Sequence, residues 1–539
     1  MNCGCFTMQV TRLAMLGLAG LCTLAGCTRH NYKKEADEQV YSIIDQKWDD
    51  DFGSKANYTI SDVAPSPNDI QIEKKLAIPG VLTLPQAVAL ATAHNREYQT
   101  QREALYMKAL DLRLTRHEFE TQFFGGFSAG YNADRNDETV GAEAGAGFSR
   151  LLAGGTRIST EVAVAWVDVL TGNLRGGLAS ILSASVTQPL LRGSEREIVM
   201  EGLTQAERDT LYQIRTFNRF RKTFVVDVIA QYYTVLQRLE DVNNARTNYA
   251  TLVWLAERVE KLANAGRLPI LELDEVRQEK LQAANVYSQA DRDYRQAVDE
   301  FKLTLSLSTS AELRLDKNEF KLLGAAEMAA PDFSEDQVLE SAQLARLDLA
   351  NSADAVLDAQ RKVRVAADSL RAEANLLGTA GASSAKRADR QTLDWLAEDY
   401  GVGLDLDLAL DRVPEQNVYR KALIGLNQRQ REYEQAADTV KLEVRQAHRN
   451  LTEASDRHGV LSQALELAQQ RFNKTFLLVQ YGKASSRRVL QAQRDLFDAQ
   501  IDAAQALVDY KIATLSFYRD TGVLQVRPDG MWELSDTAN

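Results

Sequence analysis

The chain is short of cysteine, proline and long apolar runs, and each shortage excludes something. Its four cysteines stand at positions 3, 5, 22 and 27, and none follows. The five histidines, at 30, 94, 117, 448 and 458, are isolated from one another and from any cysteine that would complete a ligand set. No zinc site or other cofactor is therefore expected. A glycine-rich phosphate loop followed by Lys-Ser or Lys-Thr is missing, which argues against an ATPase. Gly126-Phe127-Ser128-Ala129-Gly130 matches the Gly-x-Ser-x-Gly pattern of serine hydrolases. That pattern needs a strand, a tight elbow and a following helix, whereas Ser128 falls inside an alternating stretch, so no enzyme is expected. The formal net charge of -12 lacks the basic footprint that phosphate backbones attract, which argues against nucleic acid as a partner. After the first 26 residues no run of about 18 apolar residues occurs, which argues against a transmembrane helix in the body of the chain.

The scarcity of proline and glycine has a positive meaning as well. None of the nine prolines lies between Pro189 and Pro269 or between Pro414 and Pro528. No glycine lies between Gly202 and Gly266, and only Gly459 lies between Gly425 and Gly482. An interior proline breaks the helical ladder, so these stretches are free to form very long helices. A helix from Leu203 to Ala265 would rise roughly 95 Å and needs coiled-coil partners; Leu252, Leu255, Val259 and Leu262 supply the apolar spacing.

The plan is written twice. A helix from Leu84 to about Glu120, alternating stretches over about 123–188, a long helix, a turn at Gly266 and a return to about Leu307 make the first half. A helix from Phe333 to about Leu370, alternating stretches over about 372–411, a long helix from Pro414, a turn at Gly482 and a return to about Tyr518 make the second. Laying Gly266 on Gly482 superposes Leu273 with Val489, Val276 with Ala492 and Glu279 with Asp495. Such a tandem describes a tube rather than an active site.

The alternating stretches carry apolar residues on one parity: Phe123, Phe127 and Tyr131; Ile158, Val162 and Trp166; Leu178, Leu182 and Val186; Val402, Leu404 and Leu406. Strands that alternate in this way suit a membrane β-barrel or one face of a soluble sheet. They are too few to close a barrel alone, so the barrel reading requires oligomerisation. Four strands are read in the first half and two, the first weak, in the second. All six would give about eighteen strands in a trimer, and a middle hairpin left outside would give about twelve.

Residues 1–26 have the layout of a secretory signal, with Arg12 and then an apolar stretch from Leu13 to Leu24. Leu24-Ala25-Gly26-Cys27 resembles a bacterial lipobox, in which Cys27 is acylated; Thr28 and Arg29 follow without the aspartate that retains lipoproteins in the inner membrane. Residues 27–81 then read as a lipid-anchored tether, with Tyr41, Ile44 and Trp48 spaced for a short docked helix. Residues 82–330 form the first repeat, with its helix hairpin over about 194–307. Residues 331–525 form the second, with its hairpin over about 414–518, and 526–539 are a C-terminal tail.

Several segments together resemble the TolC-like outer-membrane efflux family. They are Leu82-Thr83-Leu84-Pro85-Gln86-Ala87-Val88 with its echo over Phe333 to Asp348, the strand exit Thr187-Gln188-Pro189-Leu190-Leu191-Arg192-Gly193, and the turns Ala265-Gly266-Arg267 and Tyr481-Gly482-Lys483. The resemblance covers roughly residues 82–525. It implies a mainly α chain with a membrane β-barrel: a homotrimer whose strands form one shared barrel in the outer membrane and whose long helical hairpins form a periplasmic α-barrel. It further implies a passive exit duct in drug or metal efflux or type I secretion, working with a periplasmic adaptor and an inner-membrane transporter. The hairpin tips at Gly266, Arg267, Gly482 and Lys483 would contact the adaptor. Glu272, Arg488 and Gln491, counted from the tip glycines, would line the periplasmic gate. Arg488 and Gln491 depart from the acidic residues the family can carry there, and Leu262 and Leu478 replace an arginine expected four residues before each tip. Cargo is not legible. The competing reading is a non-conducting periplasmic coiled-coil scaffold lipoprotein, with the alternating segments in a soluble sheet.

Overall fold

A computed structural model describes residues 29–49, 52–60, 80–133, 138–169, 177–325, 334–386, 397–408, 410–481, 483–527 and 531–534. The principal elements in order are α1 (Arg29–Lys47), α2 (Leu84–His94), α3 (Arg96–His117), β1 (Gln122–Ala133), β2 (Glu138–Leu151), β3 (Arg157–Val169), β4 (Gly177–Pro189), α4 (Glu201–Asn264) and α5 (Ile270–Thr304). There follow α6 (Glu335–Ala345), α7 (Leu347–Asp368), β5 (Glu373–Lys386), β6 (Ala397–Asp407), α8 (Val413–Gln480), α9 (Ser486–Asp520) and a small hairpin of β7 (Leu524–Val526) with β8 (Trp532–Leu534). The duplication shows in the principal helices: α2 and α6 have 11 residues each, α3 and α7 have 22, and α5 and α9 have 35. The long helices α4 and α8, of 64 and 68 residues, occupy the stretches kept clear of interior proline.

The chain forms two compact units, each drawing on both repeats. One comprises the described residues up to Trp48 with Leu105–Gln213 and Gln360–Leu423; the other comprises Asp49–Ala104, Ile214–Ala359 and the rest from Ile424.

In the second unit, the two short helices expected to run straight on from Leu84 and from Phe333 are each broken. The breaks fall at Asn95 (φ -62°, ψ 132°) and Arg346 (φ -78°, ψ 110°), both extended. Neither is a proline or glycine, and the cause lies in distant acceptors. The Asn95 amide donates to the Thr304 carbonyl at the end of α5 (2.9 Å), and its oxygen accepts from the Tyr98 N–H (3.0 Å) to cap α3. Arg346 does the same office in the second repeat, donating to the Asp520 carbonyl at the end of α9 (3.2 Å) while bridging Asp348 (Nε to Oδ1, 2.8 Å) and Glu443 (2.9 Å). Toward the hairpin ends, Leu252, Leu255 and Val259 of α4 pack with Leu273 and Val276 of α5 and with Val489 and Leu490 of α9, closing an apolar seam. Sequence-equivalent Val276 and Ala492 are 0% and 1% exposed, so the register read from the two tip glycines is also the packing register.

Basic groups gather round the end of α9. Lys222 donates to the Gly522 carbonyl (3.0 Å), and Arg219 bridges Asp520 (3.2 Å). Cations suit the negative end of a helix dipole, but burial, helped by Arg219 and Arg221, pushes the Lys222 amine down to about 8.

In the first unit α1 docks through Val40, Ile43, Ile44 and Trp48, all buried, with Tyr41 edge-on to Tyr106 at 5.8 Å. Two of the three residues read for this helix, Ile44 and Trp48, are buried, and Tyr41 is the one in ring contact. All six strands β1 to β6 pair antiparallel in sequence order in one sheet, so the weak strand β5 belongs with the rest.

Candidate functional site

The sheet has two chemically distinct faces, and pairing register decides them. Directly opposed residues share a face and alternate residues change it. The row Phe123, Phe148, Thr160, Ala184, Ala380, Tyr400 crosses all six strands. Two residues along, Gly125, Ala146, Val162, Leu182 and Ala382 follow on the same face. Every apolar parity noted strand by strand therefore falls on one face. The other carries Ser128, Glu143, Gly147, Glu161, Ser183, Gly381 and Asp399, with further carboxylates at Asp405 and Asp407 and a single cation at Arg157. Small residues dominate this polar face.

The apolar face is bare. Phe123 is 82%, Val402 83% and Tyr400 88% exposed, and among the described residues no second layer covers them. A soluble sheet that packs one face on a core would bury that face, so this arrangement disfavours the soluble alternative. The outer strands β1 and β6 also each pair on one side only.

The second candidate is the pair of hairpin tips. Gly266 takes φ +69°, the left-handed region that ends helices cheaply only for glycine. Around it Arg267 N–H donates to the Leu262 carbonyl (2.9 Å), and at the other tip Lys483 N–H donates to the Leu478 carbonyl (2.8 Å). Both tips therefore close with the same long bond, and both present exposed apolar residues: Ile270 and Leu271 at one, Leu477, Leu478 and Tyr481 at the other. Gly482 and Cys27 lie outside the described residues.

Glu272 sits in the first turn of α5 with its Oε2 enclosed and without a hydrogen-bond partner. Arg488 and Gln491 of α9 are exposed, and within one chain no ion pair joins Glu272 to Arg488. The returning helices are joined instead by two bridges the sequence reading missed. Arg487 Nε donates to Glu275 Oε2 at 3.3 Å, and Arg494 Nε to Glu279 Oε1 at 3.2 Å. The bond to Glu275, then its charge, with Glu272 adding a smaller pull, holds the Arg487 guanidinium even more firmly protonated than usual. Arginines seven apart facing glutamates four apart were the available signal. Below them a buried Gln493 amide donates to Asn248 (2.9 Å), tying α9 to α4.

No protein-family model and no curated protein matches the chain. Solved structures do. CusC, a transmembrane channel, is 16% identical with a TM-score of 0.59 over 81% of this chain and 92% of that one. The Campylobacter jejuni CmeC outer membrane channel is 14% identical, with a TM-score of 0.58 over 81% of this chain and 85% of that one. The open state of the Neisseria gonorrhoeae MtrE outer membrane channel is 13% identical, with a TM-score of 0.59 over 81% and 88%. The chain has the TolC-like outer-membrane channel fold. The likeness covers most of each relative and includes both the helical hairpins and a sheet, so the resemblance read from residues holds at the level of the fold.

Proposed function

We propose that this protein is the outer-membrane exit duct of a tripartite efflux or type I secretion system. The observation that carries it is the bare apolar face on a sheet whose other face is polar. Lipid is the solvent that such a face fits, and a closed barrel is the only sheet that lipid tolerates. Six strands leave two open edges; three copies joined edge to edge would make a barrel of about eighteen strands, a size that leaves an aqueous bore. The small side chains of the polar face would keep that bore clear, and its carboxylates would favour cations. The sequence carries no phosphate loop, so on this reading an inner-membrane transporter, joined through a periplasmic adaptor docked on the apolar hairpin tips, would drive export. Acylation of Cys27 would anchor the assembly, and loss of fatty-acid label in a Cys27→Ala protein is the check on that step.

The gate belongs at the tips. The bridges Arg487 to Glu275 and Arg494 to Glu279 would hold each protomer's return helices together, while Arg488 and Gln491, exposed on α9, would meet Glu272 of a neighbouring copy across the axis. Planar-bilayer recording of the detergent-purified oligomer tests the duct. Discrete conductance steps are expected, and a protein that binds membranes without conducting would favour the scaffold reading.

A further inference from the structure

Resting on the membrane reading above, we infer that Arg150 binds the phosphate of a phospholipid at the helix-side margin of the apolar face. Pairing with Ile158 puts Arg150 on the apolar face, in one row with Val186 and Val402. It lies two residues beyond Phe148, whose ring is 6.2 Å from that of Phe123. Arg150 is exposed, and no hydrogen bond or ion pair engages its side chain among the described residues. Among the described side chains of this face, no other charge occurs before Glu138 at the far end of β2.

The helix-side margin of the face is therefore cationic, with one arginine beside aromatic rings. Arginine facing hydrocarbon is costly at mid-membrane and nearly free at the interface, and aromatic rings mark that interface. A guanidinium there needs an acceptor, and among the described residues none engages it; a lipid phosphate presents two oxygens to its fork, which an ammonium cannot match. Arg157, the next basic residue along the hairpin, is on the polar face and is not part of the site.

Native mass spectrometry of the delipidated, detergent-purified full chain tests this with three probes: dioleoyl-phosphatidylglycerol, dioleoylglycerol and inorganic phosphate. The parent should bind the phospholipid about tenfold more tightly than the diacylglycerol, the worth of a charge-assisted hydrogen bond. Inorganic phosphate should not compete. Arg150→Gln should erase the preference, and Arg150→Lys should keep part of it. Equal phospholipid binding by Arg150→Gln, an equal response to dioleoylglycerol, or full competition by inorganic phosphate would overturn the inference. Arg150→Gln should still conduct like the parent in bilayers. If the parent itself does not insert, the membrane reading fails; if both insert and bind lipid alike, only the arginine's role does.

Discussion

Lys222 illustrates how single residues bear on stability here. Its amine is pushed down to about 8 from the usual 10.5, mainly by burial. Between those values the unfolded chain holds more protons than the folded one, so stability should rise with pH through that window and by up to roughly 3 kcal/mol. Below about pH 8 the cost of burying the charge is present in full. Urea midpoints at pH 7 and pH 10 should diverge in the parent and converge in Lys222→Met; an unchanged difference would show that other groups set it. At the tips, Arg487→Glu should raise single-channel conductance, and adding Glu275→Arg should restore the parent value. Conductance unmoved by the first change would move the gate elsewhere. The sequence reading singled out Glu272 and Arg488 here and did not single out Arg487 with Glu275, because which face of α9 meets α5 depends on packing, and a shift of one residue turns a helix by about 100°.

At the scale of elements, helix lengths were legible because proline and glycine write them directly. The stretch Leu203 to Ala265, expected to be helical, is realised as Glu201–Asn264. The breaks at Asn95 and Arg346 were not legible, since each is made by a carbonyl about 170 to 210 positions away. Strand β5 was faint for a related reason: Gly378, Ala380, Gly381 and Ala382 carry little hydrophobic signal, and only pairing with β4 and β6 defines it. The two pins should differ in weight. Arg346→Ala removes a 4% exposed cation from two carboxylates and should cost about 3 kcal/mol. Asn95→Ala loses a cap and should cost about 1 kcal/mol. Urea unfolding ranks them, and equal costs would mean that the second repeat is not held by its arginine. Gly459 of α8 has open space where a Cβ would go, so Gly459→Ala should stabilise the protein by about 1 kcal/mol. A lower urea midpoint for that variant would assign the glycine a role in bending.

At the scale of the molecule, a sheet with two open edges and a bare apolar face predicts that the chain does not persist as a folded monomer. Mass analysis in mild detergent should find trimers; a monodisperse monomer would sink the duct. The principal helices of the two repeats match in order and closely in length, yet the repeats differ in strands, four in the first and two in the second among the described residues. A β-hairpin leaves and re-enters a sheet on the same side, so strands gained or lost in pairs return the chain to its helices at an unaltered point. Sheet width and helix length are thus separate inheritances in this architecture: a lineage could broaden its sheet by grafting hairpins while the long helical hairpins go on as before.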